Sequence, residues 1–130
     1  MGDGVLHARV LVVDDEVVIG DTLATILRMH GFDASTAYSG EAALHRAERF
    51  NPDIVLSDIR MGQMDGVEAA RRVRVMQPEC RVVLLSGAPV EPTLWDVIDR
   101  HGFEYLSKPI HPVRLVAHLR GNEEVEEQVF

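Results

Sequence analysis

Four short apolar runs, each leading to a polar residue, constrain this chain more than any other feature. They are Val10-Leu11-Val12-Val13 before Asp14-Asp15, Ile54-Val55-Leu56 ahead of Asp58, Val82-Val83-Leu84-Leu85 before Ser86, and Tyr105-Leu106 ahead of Lys108. Short branched runs read as buried strands of a parallel sheet, and such sheets place ligands just beyond the carboxyl ends of their strands. Side by side, the four runs bring their terminal polar residues into one acidic pocket that also carries a hydroxyl and an ammonium. Lys108 is the only lysine among 13 basic residues. A lysine is a compact, flexible point charge, suited to following a phosphate where an arginine fork would clamp it.

Between these runs the spacing turns helical, so that strand and helix alternate along the chain. The first strand covers about Ala8 to Val13, and Ile19, Leu23, Ile26 and Leu27 line the helix after it until Gly31 stops it. A short, weak second strand spans Asp33 to Ala37. Ser39 reads as the N-cap of a helix carrying Ala43, Leu44, Ala47 and Phe50, which Asn51-Pro52 ends. The third strand leads to Asp58, Arg60 to Gly66 forms a loop rich in Gly and Met, and a helix runs from about Val67 to Met76. Beyond Ser86, Gly87 and Pro89 break the chain, and Leu94, Val97, Ile98 and His101 line a fourth helix that Gly102 closes. Phe103 to Ser107 form the last strand, and Val113, Val116 and Leu119 mark a final helix. The expected class is α/β, with right-handed crossovers and a parallel sheet covered on both faces. The expected limits are a flexible N-terminus over 1–7, one domain over 8–120, and an acidic tail or linker stub over 121–130.

Composition narrows the partners. A chain of 130 residues with 46% hydrophobic and 26% charged residues is ordinary for one globular domain and does not point to disorder. The net charge of -8 argues against direct nucleic-acid binding, which needs basic surface to neutralise phosphates, and favours divalent cations or basic partner surfaces. The one cysteine, Cys80, can form no internal disulfide, which agrees with a reducing compartment. No apolar stretch approaches membrane-spanning length. The expectation is a cytoplasmic domain with no membrane contact.

Three carboxylates brought close together repel one another, so the pocket would take up protons or bind a divalent cation. Mg²⁺ suits it best, being a hard ion that takes oxygen ligands and is commonly shared with a phosphate. One carboxylate oxygen could then attack a phosphoryl group whose charge is spread over the metal, Ser86 and Lys108. Asp58, alone on a central strand, is the nucleophile candidate, whereas the adjacent Asp14 and Asp15 suit metal holding. Any single Asp at a strand end is often only a turn former or a helix cap. Four such strand ends together make coincidence a poor account.

The strings Val12-Val13-Asp14-Asp15-Glu16, Ser57-Asp58-Ile59-Arg60-Met61, Met64-Asp65-Gly66, Leu85-Ser86-Gly87 and Tyr105-Leu106-Ser107-Lys108-Pro109 resemble the receiver domain of bacterial two-component response regulators. The resemblance covers Ala8 to Leu119. It implies a doubly wound, flavodoxin-like sheet of five parallel strands in order 2-1-3-4-5. It also implies that Asp58 is the phosphoacceptor, supplied from a phosphohistidine of a sensor kinase or histidine phosphotransfer protein. Asp15, Asp58 and the backbone carbonyl of Arg60 would hold Mg²⁺ directly and Asp14 through water. Ser86, with Gly87 beside it, and Lys108 would contact the phosphoryl group, Tyr105 would be the aromatic switch, and the Lys108-Pro109 bond would be cis. Output would run by protein contact through the face of the fourth helix, fifth strand and fifth helix. The resemblance is not to a conventional enzyme: such a domain catalyses only its own phosphorylation and dephosphorylation.

Some positions depart from the family's pattern. Gly62 stands where proline is usual, freeing the loop beside Asp58. Pro89 and Pro92 imply a late or irregular start to the fourth helix, which blurs the surface from which a homodimer on phosphorylation would be argued. Arg71, Arg72 and Arg74 read as a solvated basic face. Six dispersed histidines lack metal-ligand spacing. A phosphatase with an aspartyl nucleophile would need a second Asp where Arg60 stands, and a nucleotide-binding domain would need a glycine-rich loop after the first strand. The remaining alternative is a receiver-like interaction module that works without phosphorylation. No effector domain is visible, and a stand-alone receiver is expected over one excised from a longer protein.

Overall fold

Strands and helices alternate without exception through the computed structural model, which describes residues 7–62 and 64–121. The elements are β1 (Arg9–Val13), α1 (Val17–Met29), β2 (Asp33–Ala37), α2 (Gly40–Phe50), β3 (Ile54–Asp58), α3 (Gly66–Met76), β4 (Arg81–Ser86), α4 (Pro92–Arg100), β5 (Glu104–Ser107) and α5 (Pro112–Leu119). All strand pairs are parallel, in the order β2-β1-β3-β4-β5. This is the doubly wound, flavodoxin-like arrangement expected from the sequence.

The continuous apolar runs are explained by burial on both faces of the sheet. Successive residues of a strand point to opposite sides. Leu11, Val13, Val55, Val82 and Leu84 join one core cluster, with Ala43 and Ala47 of α2, Val67, Ala70 and Val73 of α3, and Ile98 of α4. Val10, Val12, Ile54, Leu56, Val83 and Leu85 join the other, with Ala24 and Leu27 of α1 and Leu115, Val116 and Leu119 of α5. Both faces being dry, the middles of the central strands are apolar, and polar residues gather at their carboxyl ends, with Ser57 and Asp58 in β3 and Ser86 in β4.

Local signals set the helix ends. Ser39 Oγ accepts a hydrogen bond from Ala42 N at 3.0 Å, and Asp65 Oδ1 accepts one from Glu68 N at 2.8 Å. Asn51 closes α2 in the left-handed region at φ 51°. The Asp65 cap starts α3 at Gly66, one residue before the expected Val67. Pro92 begins α4, so that helix does start late, as its prolines imply.

Val113, Val116 and Leu119 do fall in a final helix, α5, whose buried stripe is Leu115, Val116 and Leu119, with Val113 60% exposed. One sequence reading is corrected. Arg74 does not lie on a solvated face with Arg71 and Arg72. Its guanidinium sits 5.0 Å from the centre of the Phe103 ring and donates to the His101 carbonyl at 3.2 Å, tying α3 to the end of α4. Apart from His7 and Gly121, the expected N-terminal arm and acidic tail lie outside the described residues. Among those residues no helix is long and apolar enough to cross a membrane.

Candidate functional site

β1, β3, β4 and β5 deliver their terminal residues to one edge of the sheet. The backbone N–H of Asp14 donates to the Ala37 carbonyl at 3.1 Å, which carries the β1–β2 ladder one residue further and fixes Asp14 in place. Its carboxyl is 2% exposed and accepts from Glu16 N at 2.9 Å. Asp15, the next residue, is exposed. Asp58 closes β3 with its side chain 13% exposed. Each of Asp14, Asp15 and Asp58 offers a carboxylate oxygen within 4.8 Å of the others.

Lys108 reaches into this trio from the end of β5. Its backbone N–H donates to the Ser86 carbonyl at 2.8 Å, and the peptide bond to Pro109 is cis. Its Nζ stands 3.6 Å from Asp58 Oδ2 and 3.7 Å from Asp14 Oδ2. Burial holds the Asp58 carboxyl above its ordinary pKa of 3.8, and the neighbouring Asp14 adds to the rise. The Lys108 ammonium and the Ile59 N–H pull it down without cancelling that rise. One ammonium thus leaves three carboxylates undercompensated. The donor set, all oxygen and partly buried, is one that a hard divalent cation such as Mg²⁺ fits.

Ser86 is buried, and its hydroxyl is engaged within its own loop, donating to the Ala88 carbonyl at 2.8 Å and accepting from Ala88 N at 3.2 Å. Gly87 is exposed beside it, where a Cβ would lie 3.7 Å from Lys108 Cβ. Tyr105 is half-buried and meets the edge of Trp95, with ring centroids 4.7 Å apart. Arg60 is exposed at the rim of a cavity of about 520 Å³, whose walls include Asp15, Met61, Ser86 and Leu94.

Residues 10–120 match the response regulator receiver domain family. The chain belongs to that family. As a receiver domain of two-component response regulators it has curated relatives that include the transcriptional regulatory protein PrrA of Mycobacterium leprae. The two are 35% identical over 120 residues, or 92% of this chain and 52% of PrrA. The regulatory protein AtoC of Escherichia coli is 35% identical over 101 residues, 78% of this chain and 22% of that one. The chain therefore spans about half the length of PrrA and less of AtoC. Among solved structures, the chemotaxis protein CheY4 of Vibrio cholerae is 28% identical with a TM-score of 0.81, covering 89% of this chain and 98% of that one. A CheY-like receiver domain from Methanospirillum hungatei shares the fold at a TM-score of 0.83 and 22% identity, covering 95% and 98%. Response regulators take their signal from histidine kinases and act on downstream effectors.

The receiver's glycine at position 66 matters in a way that spacing alone did not reveal. A Cβ there would stand 2.8 Å from Ser57 Oγ and closer still to the Asp58 carbonyl oxygen. The string Met64-Asp65-Gly66 marked the family, but only the folded chain shows the loop returning against the strand that carries Asp58. Among the described residues the aspartate trio is the one group of three or more side chains placed to share a metal ion. Three of the histidines have hydrogen-bond partners away from this trio. His30 and His101 place Nδ1 at 2.8 and 2.9 Å from the carbonyls of Ile26 and Val97, and His118 Nε2 lies 2.8 Å from Glu104.

Proposed function

We propose that this receiver is a phosphorylation-dependent switch in which Asp58 accepts a phosphoryl group from a phosphohistidine of a sensor histidine kinase or histidine phosphotransfer protein. The observation that carries the reading is the Lys108 ammonium, 3.6 Å from Asp58 Oδ2 inside a trio of carboxylates. An Asp58 oxygen attacks phosphorus, the new P–O bond forms as the P–N bond to the imidazole breaks, and the imidazole nitrogen keeps the electron pair. Lys108 follows the charge on the phosphoryl oxygens. The Ser86 hydroxyl leaves Ala88 to donate to one of them, with Gly87 beside it.

Asp14, Asp15, Asp58 and the Arg60 carbonyl would hold Mg²⁺, which when bound offsets the carboxylate repulsion and the charge of the transferring group. Closing of Ser86 and Lys108 on the phosphoryl group lets Tyr105 turn inward, and the face of α4, β5 and α5 carries the change to a downstream protein or a second copy of the chain. The arrangement needs only states a few kcal/mol apart to act as a switch. A cytoplasmic site of action suits this chemistry and the free thiol of Cys80. Residues 8–120 form the functional unit in this reading.

Intact mass after incubation with acetyl phosphate and Mg²⁺ tests it. Gain of one phosphoryl group, abolished in Asp58→Asn and by chelation, is the expected result. No gain in the unaltered chain, with Mg²⁺ bound, would overturn the switch in favour of a module that works without phosphorylation.

A further inference from the structure

Helix α4 is lightly seated. It begins at a proline without a side-chain cap from Glu91, and Ile98 is its one fully buried residue. Leu94 and Val97 pack only partly against the sheet. Trp95, the single tryptophan of the chain, is 37% exposed on this helix, yet its ring meets Tyr105 of β5 edge-on at 4.7 Å with the planes at 67°. That contact joins the loosest helix of this region to the aromatic residue at the fifth strand. It does so in the arrangement where the Ser86 hydroxyl is engaged with Ala88.

We infer that Trp95 is a positioning residue of the switch: its edge-to-face contact retains Tyr105 in the unphosphorylated arrangement and so sets how readily the phosphorylated one is reached. The inference rests on the switch reading above, in which Tyr105 moves. A contact made in one state and lost in the other weights the balance toward the first, whereas one kept equally in both shifts nothing. An aromatic pair in this geometry is worth a shift of about two- to tenfold in a two-state balance. Truncating Trp95 removes that weight from the resting state and makes the acceptor easier to phosphorylate.

The test is the rate of phosphorylation from acetyl phosphate and Mg²⁺, read by intact mass, for the unaltered chain, Trp95→Ala and Trp95→Phe, each also combined with Tyr105→Ala. Trp95→Ala is expected to react about two- to tenfold faster. Trp95→Phe, which keeps an aromatic edge contact, should stay near the unaltered rate, and in the Tyr105→Ala background the Trp95 substitution should change nothing. Trp95→Leu keeps apolar bulk without the ring geometry and carries the same expectation as Trp95→Ala, should the latter fold poorly. An unchanged or slower rate would overturn the inference, as would equal acceleration without Tyr105, which would mean a general loosening of α4. If the unaltered chain takes up no phosphoryl group, the switch reading itself fails, an outcome distinct from phosphorylation that ignores Trp95.

Discussion

A Cβ on Gly66 would stand 2.0 Å from the carbonyl oxygen of Asp58. The Gly66 N–H also donates to the Ile59 carbonyl at 2.8 Å, so the first turn of α3 is pressed against the end of the strand that carries Asp58. The obstructing atom is backbone, which cannot swing aside as a flexible side chain would. Gly66→Ala is therefore expected to lower stability by about 1–3 kcal/mol or more, as overpacked sites do, and to slow phosphorylation by displacing Asp58. An unchanged urea midpoint would show that the loop can retreat at little cost.

Asp58 itself is expected to make the fold less stable when charged. Burial, then Asp14, holds its pKa above 3.8 in the folded chain against the pull of Lys108. A carboxyl with a raised folded pKa contributes stability below its unfolded pKa and loses that contribution as the pH rises through the folded one. At neutral pH without Mg²⁺, Asp58→Asn should thus be more stable than the unaltered chain, with the gap closing as the pH falls through the raised folded pKa toward 3.8. If that carboxylate helps to hold Mg²⁺ as proposed, added Mg²⁺ should stabilise the unaltered chain more than the variant, since a ligand of the folded state stabilises it. Urea midpoints across this pH range decide the matter, and a variant less stable at neutral pH would contradict the argument.

Glu104 runs the other way. It accepts from Arg81 Nε and Nη2 at 2.6 and 2.7 Å, and Arg81 continues to the carbonyls of His118 and Leu119, joining β4, β5 and the end of α5. Burial raises the Glu104 carboxyl, but the bonds and charge of Arg81, helped by His118, outweigh it and leave the pKa below the ordinary 4.5. Its contribution is present above the unfolded pKa and is lost as the pH falls through the lower folded one. With solvent screening on this partly exposed pair, Glu104→Gln should cost about 1 kcal/mol at neutral pH. The cost should fade in acid below 4.5, and one that persisted there would point to packing instead of charge.

Local chemistry was legible in the sequence wherever one physical requirement dominated. Strands dry on both faces carry unbroken apolar runs, so β1, β3 and β4 stood out, and Ser39 capped α2 where a side-chain acceptor was needed. The meeting of the strand-end carboxylates with Lys108 followed from parallel topology alone. What the sequence could not carry was orientation between neighbours. Asp14 and Asp15 are adjacent and chemically alike, yet one is buried and the other exposed, because the Asp14 N–H still pairs with the Ala37 carbonyl at the end of the sheet while Asp15 lies in the bend that leaves it. Arg74 shared a basic run with Arg71 and Arg72 but found Phe103 by tertiary contact. The Gly66 approach and the Trp95–Tyr105 contact likewise join residues far apart in the chain.

Cys80 is 4% exposed, and burial pushes its thiol up to about 11, with Arg74 offsetting only part of the effect. The thiolate is the reactive species, and each unit of pKa removes tenfold of it at a given neutral pH. The ordinary value being 9.0, the native chain should react with a disulfide reagent about 100-fold more slowly than a free thiol, before burial slows access further. Denaturant should restore the ordinary rate, and Cys80→Ala should abolish the reaction because the chain has 1 cysteine. Fast labelling under native conditions would mean that the edge of the sheet around Arg81 opens locally, and the Arg81–Glu104 network would then be too weak to hold β4 against β5.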